Sequence, residues 1–185
     1  MTEQQDRTEN LFLNDVCALR ASAREILDPA RSPEHAGTDA QASIELLQTV
    51  LAAEIVCVLR YTMISVSPDG LKNGSIGTEF QEQANDERKH MMMAAERIEQ
   101  LGGVPNFDPK GLTSRVAVLN DGDGNFVKCV TDNLVVEQNV IEHYRDLIGY
   151  FSYGDPESCK MLEEIIRDEE DHTSDMQDLL GSYVS

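Results

Sequence analysis

The sequence predicts an all-α fold: an antiparallel four-helix bundle with one long crossover between its second and third helices. Three observations predict it. Four long stretches carry apolar residues at alternating spacings of three and four, the period of one helix face. The links between these stretches run short, long, short, which pairs them as two antiparallel hairpins. The chain has no Trp and only 5% aromatic residues, a composition poor in the side chains that favour strands.

Residues 1–38 read as a polar N-terminal extension, with one modest apolar patch, LFLNDVCALRASAREIL, that predicts a short helix. A loop through Pro29, Pro33 and Gly37 follows. Residues 39–181 read as the bundle. Its first helix is expected from about Asp39 to Val66, ending at SPDG. The second runs from about Ile76 to Leu101 and stops at GGVP, a Gly-then-Pro helix end. The third runs from about Gly124 to Ser152. The fourth starts at Asp155-Pro156, an N-cap followed by Pro in the first helical position, and ends near Gly181.

The link from Gly102 to about Asp123 contains Pro105, Pro109 and two Asp-Gly steps. A helix of about 27 residues is about 40 Å long. An extended link of about twenty residues spans that length. The third helix can therefore return to the far end and run parallel to the second.

The 185 residues fit one domain with a sizeable core. Net charge is −19, a field that repels nucleic acid and anionic membranes and attracts cations. Such a charge serves solubility or adaptation to salt, and equally a surface that gathers metal. The N-terminus MTEQQDRTEN has no apolar core of a secretory signal. The most apolar stretch, Leu46–Val66, is interrupted by Gln48, Glu54 and Arg60 and does not read as a membrane span. Cys17, Cys57, Cys129 and Cys159 form no CxxC pair, and the expected location is the cytoplasm with reduced thiols.

Each apolar stripe is broken near its middle by one Glu. The stripes read Ile44, Leu47, Leu51, Glu54, Val58, Tyr61, then Phe80, Ala84, Glu87, Met91, Ala94, Ile98. The third and fourth read Val127, Val130, Leu134, Glu137, Ile141, Tyr144, Ile148 and Leu162, Ile165, Glu169, His172, Met176, Leu179. A core-facing carboxylate is costly unless neutralised, and four at one level repel one another. Bound divalent cations resolve both problems. Two of the four belong to Glu-x-x-His, at Glu87/His90 and Glu169/His172, with both side chains on one helix face. Two Glu helices and two Glu-x-x-His helices make the ligand set of di-iron carboxylate bundles. Carboxylate plus imidazole suits iron or manganese better than Mg2+ or Ca2+. The pattern is also doubled: 33 residues separate Glu54 from Glu87 and 32 separate Glu137 from Glu169, with Tyr61 and Tyr144 each seven after a Glu. A tyrosine on such a stripe is either core or close to the metals.

These stretches resemble the bacterioferritins of the ferritin-like di-iron superfamily. DERKHMMMAAERIEQLGGVPN resembles their second helix and EIIRDEEDH their fourth, while LLQTVLAAEIVCVLRY and DNLVVEQNVIEHYRDLIGY resemble the first and third. The resemblance implies ferroxidase and iron-storage activity, protecting against oxidative stress, with Fe2+ oxidised by H2O2 or O2. It implies two iron ions per subunit, with manganese or zinc as substitutes. Glu54 would be the terminal ligand of one iron and Glu137 of the other. Glu87 and Glu169 would bridge, with His90 on the Glu54 iron and His172 on the Glu137 iron.

Two departures refine the resemblance. The haem-ligating Met of bacterioferritins directly follows the second-helix Glu, and here that position is Arg88, so no haem is expected. Met91, Met92 and Met93 are in another register and read as packing. Thirteen residues follow His172, too few for the short fifth helix of 24-subunit cages. The chain is thus more similar to the Dps-like miniferritins of the thioferritin branch, which implies a homo-oligomer forming a dodecameric shell. That branch has a cysteine pair near its metals. Here Cys57 lies one turn from Glu54, Cys129 would fall on the same side, and Cys159 on the other; a buried small hydrophobe is the preferred reading over a redox role. The acidic N-terminus does not support DNA binding. Three readings compete with storage in a twelve-subunit shell: a 24-subunit bacterioferritin, a di-metal enzyme such as a manganese catalase or di-iron oxygenase, and a metal-free helical interaction protein.

Overall fold

The computed structural model describes residues 11–27, 38–67, 70, 74–108, 110 and 126–184. The first ten residues, the loop through Pro29, Pro33 and Gly37, Pro109, and both Asp-Gly steps lie outside the described residues. Among the described residues there are five helices and no strand: α1 (Leu11–Leu27), α2 (Ala40–Ser65), α3 (Gly74–Gln100), α4 (Phe126–Phe151) and α5 (Pro156–Val184). The bundle is α2 to α5. Helix α3 begins one half-turn earlier than expected and α5 runs past Gly181 to Val184, while the expected start of α4 at Gly124 lies outside the described residues.

The helix ends follow from local chemistry. The Asp39 carboxylate accepts from the amides of Gln41 (3.0 Å) and Ala42 (3.2 Å), capping α2. At the other end, Ser67 Oγ accepts from the Gly70 amide at 3.1 Å. A Cβ on Gly70 would stand 2.6 Å from the Ile64 carbonyl oxygen, so only glycine lets the turn fold so tightly onto α2. Helix α3 ends at Gly102, whose φ of 86° is the left-handed C-cap conformation, and the Gly103 amide returns to the Ile98 carbonyl at 2.9 Å. The crossover then lies against α2, where Gln48 donates to the Val104 carbonyl (2.8 Å) and accepts from the Asn106 amide (3.0 Å).

Cross-helix contacts give the topology. Tyr61 meets Glu137 and Tyr144 meets Glu54, so residue numbers fall on α4 as they rise on α2: the two helices are antiparallel. His90 meets Asp168 and Arg97 meets Ser158, so α3 and α5 are antiparallel as well. With α2–α3 and α4–α5 as hairpins, α4 runs parallel to α3, as the length of the crossover predicts. Arg97 ties the last turn of α3 to the first turn of α5, reaching Asp155 (2.7 Å), Glu157 (3.0 Å) and Ser158 (3.0 Å).

Helix α1 packs on α2 and α4. Phe12, Val16 and Ala23 enter the core, and the Arg60 guanidinium lies 4.6 Å from the centre of the Phe12 ring. Arg20 bonds Glu142 (2.5 Å) and Asp146 (3.2 Å) of α4. Helix α2 is long and apolar enough to cross a membrane. Here it is the central helix of the bundle, with Glu54 and Arg60 buried along it. The predicted stripes face inward, most of their members buried and Ile44, Val58, Met91, Val127, Leu134, Ile148 and Leu179 partly so. Of the methionine run, Met91 and Met93 pack on the core and Met92 is half exposed.

Candidate metal centre

Glu54, Glu87, His90, Glu137, Glu169 and His172 are each at most 5% exposed. One turn on each helix of the bundle delivers them to the same level. Ligand atoms of Glu54, Glu87, His90 and Glu169 all lie within 4.8 Å of one another. His172 and Glu137 adjoin this group from α5 and α4.

The two Glu-x-x-His glutamates divide their oxygens. Glu87 places Oε2 3.4 Å from His90 Nδ1 and Oε1 3.2 Å from His172 Nδ1. Glu169 places Oε1 3.2 Å from His90 Nδ1 and Oε2 3.1 Å from His172 Nδ1. Glu54 Oε2 stands 3.7 Å from His90 Nδ1, on one side only. The Glu137 carboxyl faces Glu169 and accepts from the Tyr61 hydroxyl. Tyr144 donates in the same way to Glu54. Each tyrosine thus holds the glutamate of the opposite hairpin, and the pair repeats the doubling of the sequence.

Two participants were missed by the stripe analysis because they lie beside the apolar stripe rather than on it. His90 Nε2 is 3.0 Å from Asp168 Oδ2, and His172 Nε2 is 3.7 Å from Asp86 Oδ2. The imidazoles therefore face the carboxylates with Nδ1; Asp168 orients His90 from behind by a hydrogen bond, and Asp86 lies behind His172 as a more distant charge. A signal for this existed: both motifs read Asp-Glu-x-x-His, at Asp86–His90 and Asp168–His172.

The electrostatics are those of a site short of positive charge. Burial pushes the Glu54 carboxyl well above the usual carboxylate range, helped by the charge of Glu87. Glu137 is raised well above that range by burial and by the charges of Glu169 and Glu87. Glu169 goes the other way. Burial opposes its charge, but the hydrogen bond from His172 and the adjacent imidazole of His90 hold it at about 2. Burial likewise opposes charge on the imidazoles, and their carboxylate partners overcome it: His172 rises to about 11 and His90 is raised further. Without metal, protons thus balance the carboxylates. Glu54 Oε2, both oxygens of Glu87, His90 Nδ1, Glu137 Oε2 and Glu169 Oε1 are buried without a hydrogen-bond partner. Such atoms are costly unless something else occupies the space between them. Hard oxygen donors with one imidazole per position fit Fe2+ or Mn2+.

Cys57 is buried, and burial together with the cluster's negative charge pushes its thiol well up, so it stays protonated and packs as a small apolar group. Cys57 and Cys129 are both within electrostatic reach of Arg60. Cys159 sits at the opposite end, beside the Ile148 carbonyl, and Cys17 is exposed. None of the four is in a disulfide. Arg88 bonds Asn85 and Thr62.

Comparison with known proteins agrees with this fold. The chain is 26% identical over 145 residues to the bacterioferritin of Desulfovibrio desulfuricans, covering 76% of this chain and 75% of that protein. Among solved structures it is similar to a dodecameric thioferritin, the bacterioferritin-related protein of Bacteroides fragilis. The TM-score is 0.69 at 26% identity, over 89% of this chain and 95% of that one. It shares its fold with an archaeal Dps homologue from Halobacterium salinarum, with a TM-score of 0.67 at 21% identity, over 78% and 87% of the two chains. Residues 44–183 match the ferritin-like domain, and on that match, over this bundle and around this cluster, the chain belongs to the ferritin-like family.

Proposed function

We propose that this protein is a ferroxidase and iron-storage protein that detoxifies Fe2+ by oxidising it with H2O2 or O2 at a two-ion site inside each subunit. The ligands are Glu54, Glu87, His90, Glu137, Glu169 and His172, carried by a single bundle at residues 39–181 with residues 1–38 as an extension. The observation that carries the reading is the division of oxygens: Glu87 and Glu169 each offer one oxygen toward His90 and one toward His172. That arrangement suits two bridging carboxylates between two cations, with Glu54 and Glu137 closing the ends.

Each Fe2+ gives one electron. The pair reduces one H2O2 to two waters, or one O2 to H2O2, and two protons are consumed in either case. Holding both ions in one site makes this a two-electron event and avoids one-electron radical products. The chain's own residues hold the Fe2+ pair, exclude bulk water through the buried stripes, and fix the terminal carboxylates through Tyr61 and Tyr144. We infer a homo-oligomeric shell of twelve chains in the cytoplasm as the setting, on the likeness to the dodecameric thioferritin. No haem enters this scheme.

Glu87→Ala and Glu169→Ala are the direct test, read by stopped-flow oxidation of Fe2+. Loss of the fast phase, by at least about 100-fold, is the expected result; wild-type rates in both variants would sink the assignment. The competing reading, a di-metal enzyme on an organic substrate, predicts a small oligomer, whereas storage predicts a large hollow shell in native mass measurement.

A further inference from the structure

The two hairpins repeat each other at the ligands, but one turn away the repeat fails. Four residues before Glu54 stands Val50, and four before Glu169 stands Ile165. Four before Glu137 stands Asn133, and four before Glu87 stands Gln83. Helices α2 and α5 run one way and α3 and α4 the other. Val50 and Ile165 therefore close the cluster on one side, and Asn133 and Gln83 close it on the other. All four are buried. The first side is hydrocarbon, and the second carries two carboxamides. Along α4 the buried stripe reads Val130, Asn133, Glu137, Val140, Tyr144. Asn133 is fully buried, and neither its Nδ2 nor its Oδ1 has a hydrogen-bond partner. Gln83 gives its Nε2 to Glu79 at 3.2 Å and leaves Oε1 without a partner. A buried amide with both ends unmet is destabilising, and an apolar side chain of the same shape would remove that cost. The position therefore calls for a small molecule that meets both ends.

We propose that Asn133 is a specificity-determining residue of the buried cluster, whose carboxamide receives hydrogen peroxide and makes this side of the cluster select peroxide over dioxygen. The inference rests on the iron-oxidising reading above and names which of its two oxidants the site is built for. The chemistry of the amide decides between them. One H2O2 can give an O–H to Asn133 Oδ1 and accept from Nδ2, because it carries two O–H donors and oxygen lone pairs. O2 has no proton to give, so its entry leaves Oδ1 unmet in the core. A site built to hydrogen-bond an O–H rejects a molecule without one for that reason. Water meets the same atoms in the resting protein and is what peroxide displaces. Glu137 is one turn along the same face of α4 and its Oε2 is likewise unpartnered, so a molecule on the Asn133 amide lies next to the cluster. In the reaction the O–O bond of H2O2 breaks, each of two Fe2+ gives one electron, two protons are taken up and two waters form. The hydrocarbon side, with Val50 and Ile165, offers peroxide no such partner.

The test uses the full chain in its native assembly. Stopped-flow oxidation of bound Fe2+ is followed with H2O2 in the absence of air and, separately, with O2 at the same concentration. The wild type is expected to be faster with H2O2. Asn133→Leu should lower the ratio of the H2O2 rate to the O2 rate about 10-fold, chiefly through a raised KM for peroxide. Asn133→Ser, whose hydroxyl also gives and accepts, should retain most of the ratio. A second readout needs neither variant nor turnover: wild-type crystals loaded with Zn2+, which is not oxidised, are soaked in H2O2. Density for two bonded oxygens on the Asn133 amide is expected, with a single water there in unsoaked crystals. A wild type that is faster with O2, a ratio unchanged in Asn133→Leu, or both rates lowered alike overturns the selecting role and leaves the iron-oxidising reading standing. Water alone after the soak, or the amide bonded to a protein group, overturns it too, and decides the matter should Asn133→Leu fail to fold. Wild-type protein that oxidises Fe2+ with neither oxidant overturns the iron-oxidising reading, and the peroxide site falls with it.

Discussion

At the residue scale, the back of each imidazole deserves as much weight as its front. His90 meets the carboxylates through Nδ1 and Asp168 through Nε2. An aspartate in that position fixes the ring and makes Nδ1 a better donor to a cation. Asp168→Ala should therefore weaken Co2+ binding by about 10-fold or more, with the fold intact by circular dichroism; competition titration against a chelator reads it, and unchanged affinity rejects the orienting role. The four glutamates and two histidines were legible because a charged residue on an apolar stripe is a contradiction that demands a partner. Asp86 and Asp168 are no contradiction, since each is partly solvent-exposed, and only the repeat of Asp-Glu-x-x-His marked them. His143 is a different case. The Thr49 hydroxyl gives its proton to the Leu46 carbonyl, so His143 Nε2 donates to Thr49, leaving Nδ1 a bare acceptor with no partner. This is the neutral tautomer. Burial lowers its pKa to about 4, with Arg20 and Arg24 acting in the same direction and Asp146 against. The unfolded chain binds the proton near 6.5, so this stability is complete above that pH and is lost as pH falls toward 4. The loss amounts to about 3 kcal/mol at full effect. His143→Gln should flatten the pH dependence of urea unfolding in that window; an unchanged profile contradicts a neutral buried ring.

At the scale of elements, the bundle is held in register where helix ends meet. Asp155 caps α5 through the amide and hydroxyl of Ser158, and the same carboxylate receives Arg97 from α3. Removing it costs a cap, about 1 to 2 kcal/mol, and leaves the largely buried guanidinium of Arg97 with fewer partners. Asp155→Ala is expected to lower stability by about 2 to 4 kcal/mol in denaturant unfolding, whereas Glu157→Ala, an exposed partner of the same arginine, should cost less than about 1 kcal/mol. The four bundle helices were readable because their apolar period is long and unbroken and their caps are written in the chain: Asp39, the GGVP stop, Asp155-Pro156. Helix α1 was readable as a helix but not as part of the core. Its dock depends on Phe12 finding Arg60 and Arg20 finding Glu142 and Asp146, contacts more than forty residues apart in sequence that no periodicity encodes. Arg60 illustrates the difficulty: in the sequence it interrupts an apolar run, and in the fold it is buried beneath α1.

At the scale of the whole molecule, 34 acidic residues against 15 basic ones draw cations toward every chain, an attraction that salt screens. On the proposed reading, the buried cluster would convert that attraction into stability. On that reading, its four carboxylates would balance two divalent cations with both imidazoles neutral. Without metal the same carboxylates are balanced by protons, because Glu54 and Glu137 are raised and His90 and His172 hold theirs. Loading would therefore exchange protons for cations, and acid would compete with metal. Proton release should be seen when Co2+ or Mn2+ is added to the metal-free protein in weakly buffered solution at neutral pH, and affinity should fall as pH is lowered. The folded state alone assembles the site, so free metal at about 100 times its dissociation constant adds about 2.7 kcal/mol. For a chain of this size that corresponds to about 5 to 10 °C in Tm. Calorimetry on one sample, stripped with chelator and then reloaded, makes the comparison. A midpoint that does not move, with no protons released, means that the six side chains are balanced by protons alone and take up no metal.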